Sequence, residues 1–266
     1  MTAESCAKAL AEARADGRKL SEPPGPDPSG WEEAYAIQDA LIAMSDSAVV
    51  GWKIGATSKI AQERLGVDGP FSGPVFARWF TESPAEVATP AHALRIVEPE
   101  FALTLAADLP ARDVAYSADE IAAAVKSLHP AFELIDRRIT DQPGGKGGGG
   151  FTGSAYWFPA DAGANAALIL GPGIDNWRDL DVPALGVSVT VDGAAKTQGV
   201  AANAMGGPLT SLAWLVEHLR DRGIGLKAGQ VITTGVVTDI FDLQPGQSAE
   251  ATFEALGSIS LDMGEY

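Results

Sequence analysis

Three glutamates have the spacing and setting to do chemistry. Glu98 and Glu100 flank Pro99, and Glu133 sits in the apolar run Ala131-Phe132-Glu133-Leu134-Ile135. Residues two apart in a strand share a face, so Glu98 and Glu100 would aim side by side at one point. The chain around them is apolar, with Leu94, Ile96 and Val97 before and Phe101, Leu103 and Leu105 after. Two carboxylates so close cannot both stay charged cheaply unless a cation lies between them or one takes a proton. Three oxygen donors point to a hard divalent ion, Mg²⁺ or Mn²⁺, with water completing its shell. The same spacing also fits a solvated strand face carrying Glu98 and Glu100, with Glu133 paired to Arg137 or Arg138. Glu-x-Glu recurs by accident, so spacing alone leaves both readings open.

Lys53 is the second candidate. It lies in Val49-Val50-Gly51-Trp52-Lys53-Ile54-Gly55, a strand pattern in which its neighbours are apolar. A lysine there is either a buried anion anchor and proton donor or an ordinary side chain whose head reaches water. Other chemistries find less support. His92, His129 and His218 have no metal-ligand spacing to one another. No Gly-x-Ser-x-Gly elbow is present. The glycine-rich run at 144–150 lacks the Lys-Ser/Thr of a phosphate loop; it predicts a mobile loop with a lid as its candidate role. Gly171-Pro172-Gly173 is no dinucleotide fingerprint, because Asn176 stands where a third glycine is needed. Asp179-Leu180-Asp181 precedes Pro183 and reads as a turn.

The elements that must position these groups follow from periodicity and punctuation. An Ala-rich helix is predicted over about 2–18, and a second from Trp31, with Ser29 as its cap. Together these helices suggest an N-terminal appendage. Thr57 is expected to cap a short helix over 58–65 that Gly66 ends. Ser117-Ala118-Asp119-Glu120 is a capping box opening a helix to about Leu128, after which a strand over 131–136 delivers Glu133. Asp192-Gly193 signals a type I′ hairpin after the alternating run 187–191. Pro208 starts a helix that Gly223 ends, and the tail reads as strands over 231–237, 249–253 and 258–263. The result is α+β without regular β-α alternation, which disfavours a doubly wound parallel sheet. We divide it into an N-terminal helical, α+β part over 1–80 and a β-rich, metal-binding catalytic domain over 81–266.

Composition narrows the function classes. The 266 residues carry 35 acidic and 19 basic side chains, a net charge of −16, which argues against nucleic acid and anionic membranes as partners. A single cysteine excludes an internal disulfide framework. The acidic start is no secretory signal, and no stretch reaches 18 apolar residues. A cytoplasmic protein is the default.

From about residue 50 onward the chain resembles the 2-keto-4-pentenoate hydratase and 4-oxalocrotonate decarboxylase group of the fumarylacetoacetate hydrolase superfamily. The resemblance is carried by Gly51-Trp52-Lys53-Ile54-Gly55-Ala56-Thr57-Ser58, Leu65-Gly66-Val67-Asp68-Gly69-Pro70, Val97-Glu98-Pro99-Glu100-Phe101-Ala102, His129-Pro130-Ala131-Phe132-Glu133-Leu134-Ile135-Asp136, Leu212-Ala213-Trp214-Leu215 and Leu226-Lys227-Ala228-Gly229-Gln230, taken in order. It implies a mixed β-roll with an N-terminal helical part. It implies Mg²⁺ or Mn²⁺ on Glu98, Glu100 and Glu133, and a short 2-oxo acid whose carbonyl the ion polarises. Lys53 would hold the substrate carboxylate or shuttle a proton, Asp161 would be catalytic, and Thr234 and Gly235 would line the pocket. A homo-oligomer is expected.

Departures from the group matter as much. Phe71 stands where hydratases of this group carry an acidic residue, so water activation is in doubt and the pocket wall there is apolar. Asp161-Ala162-Gly163-Ala164-Asn165 keeps little of the corresponding group stretch. Pro99 inside the glutamate pair fits only an edge or a bulge. Three activities remain open: hydration or decarboxylation by a lyase, carbon–carbon hydrolysis of an acylpyruvate, and a non-catalytic partner subunit.

Overall fold

The computed structural model of the chain describes residues 2–91, 93–140 and 153–266. His92 and the glycine run at 144–150, with its expected lid role, lie outside the described residues. The elements in order are α1 (Ala3–Ala15), α2 (Trp31–Met44), β1 (Val49–Gly55), α3 (Lys59–Leu65), β2 (Phe71–Phe76), β3 (Phe80–Glu82) and β4 (Ala85–Thr89). There follow β5 (Ile96–Leu105), α4 (Ala118–Ala124), β6 (Val125–Ile135), α5 (Trp157–Ala160), β7 (Asn165–Leu170), β8 (Gly186–Val191) and β9 (Ala194–Val200). The chain closes with α6 (Pro208–Asp221), β10 (Val231–Val236), β11 (Phe241–Asp242), β12 (Ser248–Phe253) and β13 (Gly257–Glu265).

Two mixed sheets form. The larger runs β2-β1-β10-β5-β6-β7-β3 with β11 added on β5, and the smaller runs β4-β13-β12-β8-β9. Pairings are mostly antiparallel, with β1·β10, β3·β7 and β4·β13 parallel. Strands from both sides of residue 80 thus share the larger sheet. The main core lies where the two sheets face each other. Val97, Phe101, Leu103 and Leu105 of β5 and Leu128, Phe132 and Leu134 of β6 pack there with Phe253, Ile259 and Leu261. The Phe101 and Phe253 rings meet edge to face at 5.0 Å. Because β side chains alternate, sending these residues inward turns Glu98, Glu100 and Glu133 to the opposite face.

The helices begin and end where local chemistry allows, with corrections of detail. Ser58, not Thr57, caps α3: its Oγ accepts from the Ala61 N–H at 3.2 Å, and Gly66 ends the helix at φ +72°. Gly30, not Ser29, holds the cap position of α2, and the Ser29 N–H instead donates to Glu33. The N-terminal helices do not stand apart. Ala7 and Leu10 of α1 and Ile37 and Leu41 of α2 share one apolar cluster with Phe76 and Trp157, and Gln38 donates to the carbonyls of Ser72 and Pro159.

The largest correction falls on α4, which ends at Ala124 rather than near Leu128. Strand β6 starts at Val125 and pairs with β5 along its length, from Val125↔Leu105 to Ile135↔Ile96. Pro130 is therefore inside a strand. Tertiary pairing outweighs local helix propensity here.

Candidate metal centre

Register brings the three glutamates together. Glu98 and Glu133 are directly opposite in the β5·β6 ladder, and Glu100 is two residues along the same face. One carboxylate oxygen from each lies within 4.8 Å of the other two. Like charges directly across a ladder destabilise it, so β5 and β6 carry an arrangement that they do not compensate between themselves. Lys53 arrives from β1, on the same face, and its Nζ stands 3.3 Å from Glu133 Oε2. The pairing considered from sequence, Glu133 with Arg137 or Arg138, is not the one formed: Arg138 is bound to Asp161.

Burial sharpens the electrostatics. Lys53 is 2% exposed, and Glu100 and Glu133 are fully buried. Burial drives Glu100 well above the usual carboxylate range, and the charges of Glu133 and Glu98 push it further. Glu98, part-exposed to the cavity, is pushed up to about 7 by desolvation, against the pull of Lys53 and with the push of Glu133. Desolvation works against the Lys53 charge, but Glu133, Glu98 and Glu100 together outweigh it, so Lys53 titrates above its ordinary value. Fully ionised, three carboxylates against one ammonium would leave two negative charges uncompensated, the charge of one divalent cation.

The remaining hydrogen bonds hold the carboxylates in place and leave acceptors open. Asn165 Nδ2 donates to Glu133 Oε1 at 2.8 Å. The Gly235 N–H donates to Glu100 Oε2 at 2.6 Å. Among the described residues Glu100 Oε1 has no hydrogen-bond partner, although it is buried. An orphaned buried carboxylate oxygen beside two others, all oxygen donors, fits a hard cation.

Thr234 and Gly235 do not line the cavity as the resemblance implied. The β10 register shifts between Thr233 and Val236 opposite β5, which makes them a bulge. Thr234 Oγ1 is turned away to the Phe101 carbonyl at 2.7 Å. Gly235 has φ +105°, and a Cβ there would meet the Thr57 side chain at 2.4 Å. Only glycine fits this turn of backbone, and the turn aims an N–H at Glu100. Pro99 sits at the same break. Its carbonyl accepts from the Val237 N–H, and its missing donor falls where the neighbour changes from β10 to β11.

Asp161, expected to be catalytic, is bound to Arg138. Its carboxylate accepts from the Arg138 backbone N–H at 2.7 Å and from Arg138 Nε at 2.8 Å, and it is buried. The segment it begins is shaped for close packing: Ala162, Gly163 and Ala164 all have positive φ, uncommon for alanine. A Cβ on Gly163 would meet Lys53 Cδ at 2.7 Å. This loop therefore packs against the Lys53 stem and delivers Asn165 to Glu133.

A cavity of about 350 Å³ opens over the site, lined by Lys53, Glu98, Phe71, Phe158, Arg137 and Asp239 among others. Phe71 is buried, stacks on Phe158 at 6.1 Å between ring centroids, and lies 5.7 Å from Lys53 Nζ. Arg137 lies over the Phe158 ring at 5.4 Å. Asp68, an alternative carboxylate near Phe71 in sequence, instead accepts from Trp31 Nε1 at 2.9 Å. Asn165, Phe158, Arg137 and Asp239 carry no motif that sequence reasoning could use; distant segments bring them in.

The fold and this acidic face define the class. The sequence profile described as "Fumarylacetoacetate (FAA) hydrolase C-terminal" matches residues 70–262, and the chain belongs to the fumarylacetoacetate hydrolase family. It is similar along nearly its whole length to a 2-keto-4-pentenoate hydratase of Burkholderia vietnamiensis (strain G4 / LMG 22486), with 32% identity over 96% of this chain and 95% of the relative. A 4-oxalocrotonate decarboxylase of a Pseudomonas sp. is 29% identical over 96% of this chain and 95% of its own. In fold it is similar to the 4-oxalocrotonate decarboxylase from Pseudomonas putida G7 complexed with magnesium and adipate, with a TM-score of 0.85 and 23% identity over 98% of this chain and 97% of the other.

Proposed function

We propose that the protein is a Mg²⁺- or Mn²⁺-dependent lyase acting on a short 2-oxo acid, with decarboxylation favoured over hydration. The observation that carries this reading is the convergence of Glu98, Glu100 and Glu133 within 4.8 Å beneath a cavity that Lys53 also lines. The names of the relatives, hydratases and decarboxylases, support it. Bound by these three carboxylates, a divalent ion would polarise a 2-oxo group and favour negative charge on its oxygen.

The chain's own residues divide the remaining work. Glu98, Glu100 and Glu133 supply ligand oxygens, and Asn165 and the Gly235 N–H fix two of them in direction. Lys53 stays charged in the buried site, so Nζ can hold a substrate carboxylate or give up a proton. Phe71 and Phe158 keep the cavity wall dry. Such a wall disfavours a charged carboxylate more than neutral CO₂.

Hydration needs a group that positions or deprotonates water. Phe71 cannot, Asp68 is tied to Trp31, and Asp161 is tied to Arg138. Among the described residues, Asp239 is the carboxylate besides Glu98 that lines the cavity, which makes it the residue on which a hydratase reading would rest. The same proposal extends to a cytoplasmic homo-oligomer. A single cysteine, free and buried, suits a reducing compartment; light scattering tests the assembly.

Product analysis decides the reaction. With Mg²⁺, 4-oxalocrotonate should lose CO₂ and 2-hydroxypenta-2,4-dienoate should be hydrated weakly or not at all, with both activities abolished by chelator. Fast hydration without CO₂ release from 4-oxalocrotonate would reverse the preference. Metal-independent turnover would remove the site assignment.

A further inference from the structure

A second, smaller cavity of about 140 Å³ lies between α1, β4 and the end of β6. Arg14, Arg18, Arg95 and Arg138 line it, together with Asp136 and Trp79. Ile135 is shared with the lining of the larger cavity, but none of the metal-centre glutamates is.

Most of its charges already have partners. Arg95 pairs with Glu265 at 2.8 Å, and Arg138 with Asp161 at 2.8 Å. Arg18, exposed at the mouth, pairs with Asp16 at 3.2 Å and Glu12 at 3.8 Å. Asp136 is held by Lys19 and by the Leu94 N–H.

Arg14 differs. It is 9% exposed, and none of its three guanidinium nitrogens has a hydrogen-bond partner among the described residues. Its Cζ lies 3.9 Å from the Trp79 ring centroid and 5.8 Å from that of Phe76. Cation–π contact offsets part of the desolvation of a guanidinium, but it leaves all five N–H donors unused. The neighbouring Arg138 guanidinium adds to the disfavour of burial, and the charges of Asp161 and Asp136 offset part of it. A buried cation with unused donors, facing a cavity, is what a bound anion would complete.

We propose that this cavity binds a compact oxyanion, with Arg14 as the buried anchor and Arg18 at the entrance. The volume corresponds to about four or five waters at ~30 Å³ each, which admits an ion of phosphate or short-carboxylate size and excludes a nucleotide. Phosphate and carboxylate share the chemistry that a guanidinium recognises, two oxygens accepting from a planar fork.

The test is thermal unfolding of the full-length, Mg²⁺-loaded protein in sodium phosphate and, separately, in sodium acetate. Both are set against sodium chloride at matched ionic strength. One of the two oxyanions should raise the melting temperature of wild type, and the one that does identifies the source. Arg14→Met should weaken the response at least about tenfold, the worth of hydrogen bonds to a charged group. Lys53→Met should keep it, which separates this cavity from the catalytic one. In anion-free buffer Arg14→Met should be as stable as wild type or more so. Methionine keeps an apolar stem against Trp79 and Phe76 and removes a buried charge whose donors have no hydrogen-bond partner among the described residues. Absence of any shift up to tens of millimolar, a shift that survives Arg14→Met, or one lost in Lys53→Met would overturn the proposal. An Arg14→Met protein that is less stable without anion, or does not fold, would overturn it too, by showing that the fold already satisfies the guanidinium.

Discussion

Asp161 and Glu133 are both buried carboxylates facing a buried cation, yet one cluster is balanced and the other is not. Asp161 meets Arg138 with its backbone and side-chain donors, one negative charge against one positive. Glu133 meets Lys53, but Glu98 and Glu100 stand beside it. The balanced pair ties the end of β6 to the loop that packs against Lys53, and it has no charge left over for a ligand. The unbalanced set is costly by itself and becomes favourable with a cation. The lesson is that charge balance, rather than burial, distinguishes Asp161 from the three glutamates proposed as ligands.

The comparison breaks most visibly through Asp161. Asp161→Asn strands the Arg138 guanidinium in a buried site and should cost ~3–5 kcal/mol, read from urea unfolding. Remaining folded protein should keep its Mg²⁺ affinity. A stable Asp161→Asn protein with no activity would return Asp161 to a catalytic role.

Glu100→Gln should behave in the opposite way. Glutamine keeps an acceptor for the Gly235 N–H and resembles the neutral carboxyl that burial favours at this position without metal. Metal-free protein should therefore be as stable as wild type or more stable, while Mg²⁺ affinity falls by more than about tenfold, since hard cations depend on carboxylate count. Calorimetric titration and thermal melting check the two halves. Unchanged affinity would take Glu100 out of the site.

The pH dependence follows from Glu98, raised from 4.5 to about 7. Between those values the folded, metal-free protein holds a proton that the unfolded chain has released. Its stability should fall as pH rises through that window. The expected change is a few degrees in melting temperature, at ~2–4 °C per kcal/mol for a chain of this size. Metal binding needs the proton gone, so Mg²⁺ affinity should rise with pH over the same window. Melting curves at pH 5, 6, 7 and 8, with chelator and with Mg²⁺, test both signs. A metal-free protein that gains stability over this range would contradict the crowding of the three glutamates.

The smallest effect expected is at the cavity wall. Phe71→Asp should gain a measurable but low rate of 2-hydroxypenta-2,4-dienoate hydration, and Asp239→Asn should leave CO₂ release from 4-oxalocrotonate within about threefold of wild type, as for a surface charge outside the reacting groups. Steady-state assays with metal content checked would show it. Wild-type hydration that is fast and abolished by Asp239→Asn would move the reaction to the hydratase side.

Much of the metal centre was legible because the strand period is two. Glu98 and Glu100 had to share a face, and Val97, Phe101, Leu103 and Leu105 had to take the other. The arrival of Glu133 opposite Glu98 was readable only in outline, since a β6 that begins at Val125 was hidden behind a helix-like Ala-rich run. The hairpin at Asp192-Gly193 was legible in full: both residues have positive φ, as a type I′ turn demands. What stayed illegible depends on contacts between distant segments. Nothing near Asp161 in sequence announces Arg138 as its partner. Nothing in Asn165 says that it reaches Glu133, and Thr234-Gly235 reads as plain strand until the bulge opposite Glu100 is seen. The unsatisfied guanidinium of Arg14 is likewise invisible in an amphipathic helix.

The central claim is that Glu98, Glu100 and Glu133 hold one divalent ion beneath the cavity that Lys53 and Phe71 line. Crystals grown with Mn²⁺ and oxalate, measured at the manganese absorption edge, test it most directly. One anomalous peak within coordination distance of all three carboxylates, with oxalate filling the cavity side, is the predicted result. A peak elsewhere, or three carboxylates that remain together with no peak between them at saturating Mn²⁺, would contradict it.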